Sequence, residues 1–370
     1  MWKALLVAGL AVLPATATAH VAKTHDTKTR GTVIKVVAPP ALPMHIGGRV
    51  AKDANGYAYQ WPGIYFETTF KGTGVGLEFD DSANNFNVIL DGKLLMIVRK
   101  PGHRTLYVGT EGSDAHTIRL EKRSETQYAT GHFQGFIAME AATPEPVRAR
   151  QIEFIGDSLT VGYGNTSAFT QCTPDEIFET TDAQESFGPL TARHFDADYQ
   201  INAFSGLGMV RNYDGKEHAK YHMPMLYDRA IFDDPAPVVE PDWHPQVIVV
   251  SIGGNDFSTP VRADEPWKTA DGLAADYQKT YVAFVERVHA ANPKAQIIMM
   301  WHDDDATYAA SAQKVFDTLK ASGIDHLDHI AMPKLAATGC NGHPNIHDDA
   351  KIADGLTTYL TAHPDVWQGK

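Results

Sequence analysis

Hydrophobic residues change their spacing near residue 145, and this change divides the chain into two parts. Apolar and polar residues alternate in short runs before it, which predicts half-buried antiparallel strands. After it, apolar runs alternate with helix-length segments, which predicts right-handed βαβ units and a parallel sheet. The 370 residues also exceed what one hydrophobic core usually holds, roughly 250–300 residues. Two domains of different class are therefore expected.

The first part, residues 30–141, is predicted to be an all-β sandwich or jelly roll of short strands. Its strongest signal is Asp91-Gly92 between two apolar runs, because a type I′ hairpin turn needs a positive φ at both central positions. A second hairpin is predicted within residues 64–79, around the turn residues 71–74.

The second part, residues 148–370, is predicted to be an α/β domain with a parallel five-stranded sheet flanked by helices, and residues 142–147, with two prolines, to be the linker. The strands are expected at 151–155, 199–204, 246–252, 295–301 and 329–332, and the helices at 185–196, 223–232, 270–291, 309–322 and 348–361. Ligand sites of such sheets lie at the carboxyl ends of the strands.

The formal net charge of −13 argues against nucleic acid or an anionic membrane as the main partner, because both attract clustered Lys and Arg. Residues 1–19 are predicted to be a secretory signal peptide, with a basic start, an apolar run and the cleavage site Ala17-Thr18-Ala19. The mature protein is expected to be secreted or periplasmic. An oxidising compartment permits a disulfide between Cys172 and Cys340, and two free buried thiols are the alternative.

Reactive residues follow three consecutive strands of the predicted parallel sheet. Ser158 comes after the first strand, Gly206 after the second and Asn255 after the third. A serine hydroxyl is a candidate nucleophile, while a glycine N–H and an asparagine amide are candidate donors to a developing oxyanion. Because these strand ends meet at one edge of the sheet, we expect the three residues to converge.

A serine nucleophile needs a base, and His343 follows the fifth strand at the same edge. His244 stands beside Asp242 but precedes its strand, which puts it roughly 20 Å or more from this edge at about 3.3 Å per residue. We therefore predict that His343 is the base. Asp157, next to the serine, and Trp301, at the end of the fourth strand, are predicted to contact the substrate.

The motifs Gly156-Asp157-Ser158-Leu159, Gly206, Gly253-x-Asn255-Asp256 and His343-Pro344, in this order, resemble the four blocks of the SGNH (GDSL) hydrolase superfamily. The whole chain more narrowly resembles carbohydrate esterase family 2, whose members carry an N-terminal jelly roll. This resemblance implies a flavodoxin-like SGNH domain and a serine esterase that removes acetyl groups from carbohydrate, often at the sugar 6-hydroxyl. It implies no cofactor and no metal.

The sequence departs from the superfamily at the third member of the triad. The usual acid stands three residues before the histidine, where this chain has Cys340, and the next position is Asn341. Some members of the family work with a Ser–His dyad whose imidazole is held by a backbone carbonyl. The resemblance therefore implies that arrangement here.

Other functions are weighed beside this one. A lipase or aryl esterase would share the serine chemistry but should show a large apolar mouth. A carbohydrate-binding protein without catalysis would bind through its sandwich. A zinc deacetylase is faintly suggested by Asp80-Asp81 and by His343 with His347, and a chelator would test it.

Overall fold

The structure is a computed structural model. It describes residues 39–368, except 113, 127, 143–146, 219 and 304. The predicted signal peptide, the first nine residues of the predicted β domain and most of the predicted linker lie outside the described residues. Among the helices that the structure describes, none is both long and apolar enough to cross a membrane.

Residues 45–141 form two antiparallel sheets that pack face to face. One sheet has the order β1-β4-β9-β6-β7, with β11 also paired to β4, and the other has the order β2-β3-β10-β5-β8. Aromatic and aliphatic residues fill the space between them, among them Phe66, Phe79 and Phe133. The strands are β1 (His45–Gly47), β2 (Ala51–Asp53), β3 (Gly56–Tyr59), β4 (Tyr65–Lys71), β5 (Gly74–Asp81), β6 (Asn85–Leu90), β7 (Lys93–Arg99), β8 (Gly102–Gly109), β9 (Ala115–Lys122), β10 (Gly131–Ile137) and β11 (Glu140–Ala141). The predicted all-β sandwich is confirmed.

One predicted hairpin is confirmed and the other is wrong. β6 and β7 pair antiparallel, and Asp91 and Gly92 both have positive φ. β4 and β5 instead lie in opposite sheets, so residues 71–74 carry the chain across the sandwich. The alternation of apolar and polar residues shows only which face of a strand is buried. Two strands that face each other across a core therefore give the same pattern as two strands that pair within one sheet.

The second half contains a parallel five-stranded sheet with the order β13-β12-β14-β15-β16, the flavodoxin-like order. Its strands are β12 (Arg150–Gly156), β13 (Ala197–Ala203), β14 (Val247–Ser251), β15 (Gln296–Trp301) and β16 (Leu327–Ala331). The helices are α1 (Ser158–Val161), α2 (Pro174–Thr180), α3 (Phe187–His194), α4 (Met223–Leu226), α5 (Ala270–Ala291), α6 (Ala306–Ala321) and α7 (Ile346–Ala362). The predicted fold class is confirmed.

The helix predicted at 223–232 is wrong beyond its first turn, since α4 ends at Leu226. Two side chains of the sandwich form hydrogen bonds with backbone groups of the segment that follows α4. The indole of Trp61 donates to the carbonyl of Arg229 at 2.6 Å, and the side chain of Gln60 accepts the N–H of Phe232. These tertiary hydrogen bonds replace the helical ones, and a sequence pattern does not reveal them.

The sandwich covers the open edge of the parallel sheet. β13 is an edge strand, yet all seven of its residues are buried. Tyr65 in β4 packs against Tyr199 with ring centroids 4.9 Å apart, and its hydroxyl donates to Asp198 at 2.5 Å. Arg119 in β9 donates to the hydroxyl of Tyr199 at 2.9 Å. The two halves therefore share an aromatic and polar interface beside the strand that leads to Gly206.

Candidate active site

The carboxyl edge of the parallel sheet opens into a cleft of about 630 Å³. The strand ends that were predicted to converge do so here, together with residues of the sandwich. The cleft is lined by Tyr128, Ser158, Tyr163, Ser205, Gly206, Tyr213, Glu217, His218, Asn255, Asn341 and His343.

Ser158 is held where β12 turns directly into α1. A Cβ at Gly156 would lie 2.0 Å from the side chain of Thr160, so only glycine lets the strand end this close to the helix. Asp157 caps the helix by accepting the N–H of Leu159 at 3.2 Å. The turn leaves the Ser158 side chain at the floor of the cleft, with 6 % of the residue exposed.

His343 and Ser158 lie within hydrogen-bonding distance, although 185 positions separate them. The Nε2 of His343 is 2.8 Å from the Oγ of Ser158, and its Nδ1 is 3.0 Å from the backbone carbonyl of Cys340. A carbonyl only accepts, so Nδ1 carries the proton and Nε2 is free to accept the serine proton. Tyr163 packs its ring against the imidazole, with centroids 4.4 Å apart. The arrangement matches the carbonyl-held dyad that the resemblance implied.

A disulfide fixes the loop that carries the histidine. Cys340 is bonded to Cys172, and Gly164 makes room for it, since a Cβ there would lie 2.3 Å from the Cβ of Cys340. The N–H groups of Cys340 and Asn341 donate to the carbonyls of Gly164 and Thr170. The carbonyl that orients His343 thus belongs to a cross-linked residue.

The two remaining residues predicted to be catalytic, Gly206 and Asn255, also line the cleft. Gly206 has a φ of +82°, a left-handed conformation that favours glycine over any residue with a side chain. The amide nitrogen of Asn255 donates to the carbonyl of Leu207 at 2.8 Å and to Asp157 at 3.2 Å. A substrate oxygen can compete with Asp157, the partner in the longer bond, for the amide hydrogen of Asn255.

The structure corrects the role predicted for Asp157. The side chain lies behind Ser158, outside the set that lines the cleft, where it caps α1 and accepts from the amide of Asn255. Burial raises the pKa of Asp157 to about 7, and the nearby carboxyl of Asp256 adds to this shift. Asp157 therefore positions two residues of the site rather than contacting the substrate.

The structure also corrects the prediction for Trp301. This side chain is only 3 % exposed, stacks on His329 with centroids 3.4 Å apart and packs near Phe316. It lies at the predicted strand end, but a strand alternates its side chains, and this one points into the core under α6. The aromatic residues that line the cleft are Tyr128, Tyr163 and Tyr213.

Several cleft residues were missed by sequence reasoning. Tyr128 comes from the connection between β9 and β10 in the sandwich, while Tyr213, Glu217 and His218 come from the long segment after Gly206. Tyr163 follows the serine by five residues, Ser205 and Asn341 stand beside Gly206 and His343, and Tyr213 ends the segment 205–213. For Tyr128, Glu217 and His218, no spacing in the sequence indicates that they return to the cleft.

The residues that faintly suggested a zinc deacetylase do not lie together in the structure. Asp81 accepts from Tyr59 inside the sandwich, whereas His343 is engaged with Ser158. His347 is an exposed residue of α7. The two halves of that motif therefore do not form one site.

A parallel 2-1-3-4-5 sheet with a serine–histidine pair at its carboxyl edge defines a hydrolase of the SGNH type. Comparisons with known proteins agree. Residues 46–147 match the family model "Carbohydrate esterase 2 N-terminal", and residues 154–345 match "GDSL-like Lipase/Acylhydrolase family". An acetylxylan esterase / glucomannan deacetylase of Cellvibrio japonicus is 45 % identical over 88 % of this chain and 92 % of that protein.

Solved structures show the same relationship. A carbohydrate esterase whose active site displays divergent catalytic and non-catalytic binding functions is 44 % identical, covering 89 % of this chain and all of that one, with a TM-score of 0.83. A family two carbohydrate esterase from Clostridium thermocellum, solved with cellohexaose, is 26 % identical over 88 % of this chain and all of that one, with a TM-score of 0.76. The chain belongs to carbohydrate esterase family 2 and is a carboxylic ester hydrolase.

The pKa of His343 governs the first prediction. Burial lowers this pKa below its usual 6.5, and backbone contacts at Cys340 and Asn341 only partly oppose the shift. The imidazole must be neutral to act as a base, so activity should rise with pH through a midpoint below 6.5. The measurement is kcat/KM for p-nitrophenyl acetate between pH 4 and 8, with Asp157→Asn as a control that removes the other titrating group beside the serine. A midpoint at or above pH 7 in both proteins would contradict this assignment.

The disulfide gives the second prediction. Cys172→Ser removes the cross-link but leaves the Cys340 carbonyl in the chain. A bridge that closes a long loop typically contributes about 2–5 kcal/mol, so the free energy of unfolding should fall by an amount in that range. The kcat should also fall, because the His343 loop loses an anchor, while KM changes less. Urea unfolding and steady-state kinetics measure both, and an unchanged kcat would mean that the backbone hydrogen bonds alone hold the loop.

Proposed function

We propose that this protein is a secreted serine esterase that removes acetyl groups from acetylated xylan, glucomannan or related polysaccharides through a Ser158–His343 acyl-enzyme mechanism. The observation that carries the proposal is the 2.8 Å contact between the serine hydroxyl and an imidazole whose other nitrogen is tied to a backbone carbonyl. That contact supplies what a serine needs to become a nucleophile at neutral pH.

In the first half of the reaction, Ser158 Oγ attacks the acetyl carbonyl carbon as its proton moves to Nε2 of His343. The carbonyl oxygen becomes an oxyanion, which the N–H groups of Ser158 and Gly206 and the amide of Asn255 are placed to stabilise. His343 then gives the proton to the departing sugar oxygen. The ester bond breaks, and the acetyl group stays on the serine.

In the second half, a water molecule takes the place of the sugar. His343 accepts a proton from the water as it attacks the acetyl-serine, and it returns this proton to Ser158 Oγ when acetate leaves. The residues are the same in both halves, so no other group has to move a proton.

The cleft favours a sugar over a lipid. Its described lining is made of tyrosine rings and of histidine, asparagine and carboxylate side chains, whereas a lipase should present a large apolar mouth. Tyrosine offers a flat face for sugar C–H groups and a hydroxyl for hydrogen bonding. The named activity of the Cellvibrio japonicus relative and the cellohexaose bound to the Clostridium thermocellum esterase support a carbohydrate.

Two finer features complete the proposal. In hexose-containing substrates the preferred group is the 6-O-acetyl, because it projects from the ring on a methylene and can reach a serine at the floor of a cleft. Export through residues 1–19 is supported by the signal-peptide pattern and by the Cys172–Cys340 disulfide, which suits an oxidising compartment. N-terminal sequencing of the mature protein tests the export, with His20 expected as the first residue.

Ser158→Ala tests the nucleophile. We expect hydrolysis of p-nitrophenyl acetate and release of acetate from glucomannan to fall to background, with thermal stability nearly unchanged, because only one oxygen at the cleft floor is lost. Ser322→Ala, at the end of α6, serves as the matched serine control and should keep full activity. Full activity of Ser158→Ala would refute the mechanism, and an inactive wild-type protein that binds the polysaccharide would favour a binding function.

Charge predicts which polysaccharides are accepted. Among the described residues that line the cleft, Glu217 carries the only formal charge, and burial lowers the pKa of both His218 and His343, so they add no positive charge at neutral pH. An anionic substrate would find repulsion and no counter-charge. Acetate release should be faster from acetylated glucomannan than from acetylated xylan that carries uronic acids.

The charge experiment has an internal control. Glu217→Gln should narrow the difference between the two polysaccharides, and so should added salt in the wild-type protein, because both weaken the repulsion. An acetylated lipid ester completes the panel. Faster release from the uronic-acid polymer or from the lipid ester would contradict the substrate proposal.

A further inference from the structure

Side chains hold the backbone on both sides of Ser205, whose peptide bond to Gly206 would supply one oxyanion donor. The N–H of Ser205 donates to the carboxylate of Glu125 at 2.7 Å, and the carbonyl of Ser205 lies 3.1 Å from Nε2 of His218. The Ser205 carbonyl and the Gly206 N–H belong to one planar peptide unit. These two groups point in opposite directions. A contact that fixes the direction of the Ser205 carbonyl therefore also fixes the direction of the Gly206 N–H.

The protonation of His218 follows from its partners. The Ser205 carbonyl can only accept, so Nε2 of His218 carries the hydrogen and Nδ1 is an acceptor. The hydroxyl of Tyr128 contacts that Nδ1 and must be its donor. Glu217, whose carboxylate lies 3.8 Å from Nε2, also favours a hydrogen on that nitrogen.

The imidazole is held rigidly. Its side chain is 9 % exposed and contacts the rings of Phe204 and Tyr128, with centroid distances of 4.6 and 5.8 Å. Its backbone has a φ of +47°, a conformation that residues other than glycine rarely adopt. Surrounding structure must enforce such a conformation, and it is often enforced where a side chain has a functional task.

We propose that Tyr128 and His218 form a positioning relay that holds the Gly206 N–H toward the reacting carbonyl, so that the N-terminal sandwich is part of the esterase active site. This inference rests on the proposed serine mechanism and deepens it. Tyr128 comes from the connection between β9 and β10, as does Glu125, which holds the preceding peptide unit, whereas the Ser205–Gly206 peptide follows β13 of the α/β half. His218 and Tyr128 are positioning residues, since they act through the peptide.

A purely structural role predicts a different mutational pattern. If His218 only fills space, a phenylalanine of similar shape should serve as well as histidine, and glutamine should serve worse. If the Nε2–H is what matters, glutamine should be the better replacement, because its amide can donate from nearly the same place. The two substitutions therefore separate packing from hydrogen bonding.

The first experiment measures steady-state kinetics on p-nitrophenyl acetate. His218→Phe should lower kcat about tenfold or more, a fraction of the 10²–10³ typical for full loss of an oxyanion donor, with KM within about threefold of wild type. His218→Gln should restore kcat to within about threefold of wild type. Equal losses in the two variants, or a near wild-type His218→Phe, would overturn the relay.

Tyr128→Phe gives a second test that does not depend on a buried substitution, because Tyr128 is 67 % exposed. The ring remains, but the donor that fixes the imidazole tautomer is lost, so kcat should fall several-fold while thermal stability is kept. Tyr107→Phe, on an equally exposed tyrosine of β8, is the matched control and should not change kcat. An unchanged kcat in Tyr128→Phe would remove Tyr128 from the relay.

Binding of phenylboronic acid provides a readout that folding defects do not mimic. It forms a tetrahedral adduct with an active serine and places an oxygen where the oxyanion would lie. Its affinity should fall in His218→Phe by about the same factor as kcat and recover in His218→Gln. An unchanged affinity would overturn the proposal. Ser158→Ala, assayed in parallel, separates the outcomes: if it stays active, the serine mechanism fails, and if it is inactive while the His218 variants are normal, only the relay fails.

Discussion

The hydrogen bond between His343 and the Cys340 carbonyl is the constraint on which the site depends. It fixes the imidazole so that Nε2 faces Ser158 as an acceptor, the task that a carboxylate performs in a full triad. Burial lowers the pKa of His343, and the carbonyl, which has no net charge to stabilise an imidazolium, opposes this shift only in part. In the proposed mechanism this makes the imidazole a weaker base toward the serine but a stronger acid toward the departing sugar oxygen.

Buried carboxyl groups build the scaffold around the reactive residues. Asp256 accepts the N–H groups of residues 209–211 at 2.8–2.9 Å, and burial nevertheless raises its pKa to about 7. Asp349 in α7 likewise accepts from Asn165 and from the N–H of Phe187. In each of the motifs Asp157-Ser158 and Asn255-Asp256, one residue faces the cleft and its acidic neighbour holds the surrounding loop.

The sequence predicted what local patterns control. The strand–helix rhythm identified the parallel sheet, and the position of each residue after a strand brought Ser158, Asn255 and His343 to one edge. Local patterns failed to predict the structure where it depends on contacts between distant segments. Alternating polarity does not show that β4 and β5 belong to opposite sheets. A position at the end of a strand does not show which way the side chain of Trp301 points. His218 was missed because its place depends on how a long, irregular segment folds back onto the sandwich.

The position of β13 explains why the sandwich is built into the site. As an edge strand, β13 would otherwise leave the loop at its carboxyl end, and with it Gly206, open to solvent on one side. A glycine with a positive φ resists reorientation poorly, since it lacks the steric barriers of other residues. Contacts from outside the sheet must therefore hold that peptide. The sandwich is the element packed against this edge, and from there Glu125 accepts the N–H of Ser205, one residue before Gly206. A sandwich that only captured polysaccharide would need no such contact.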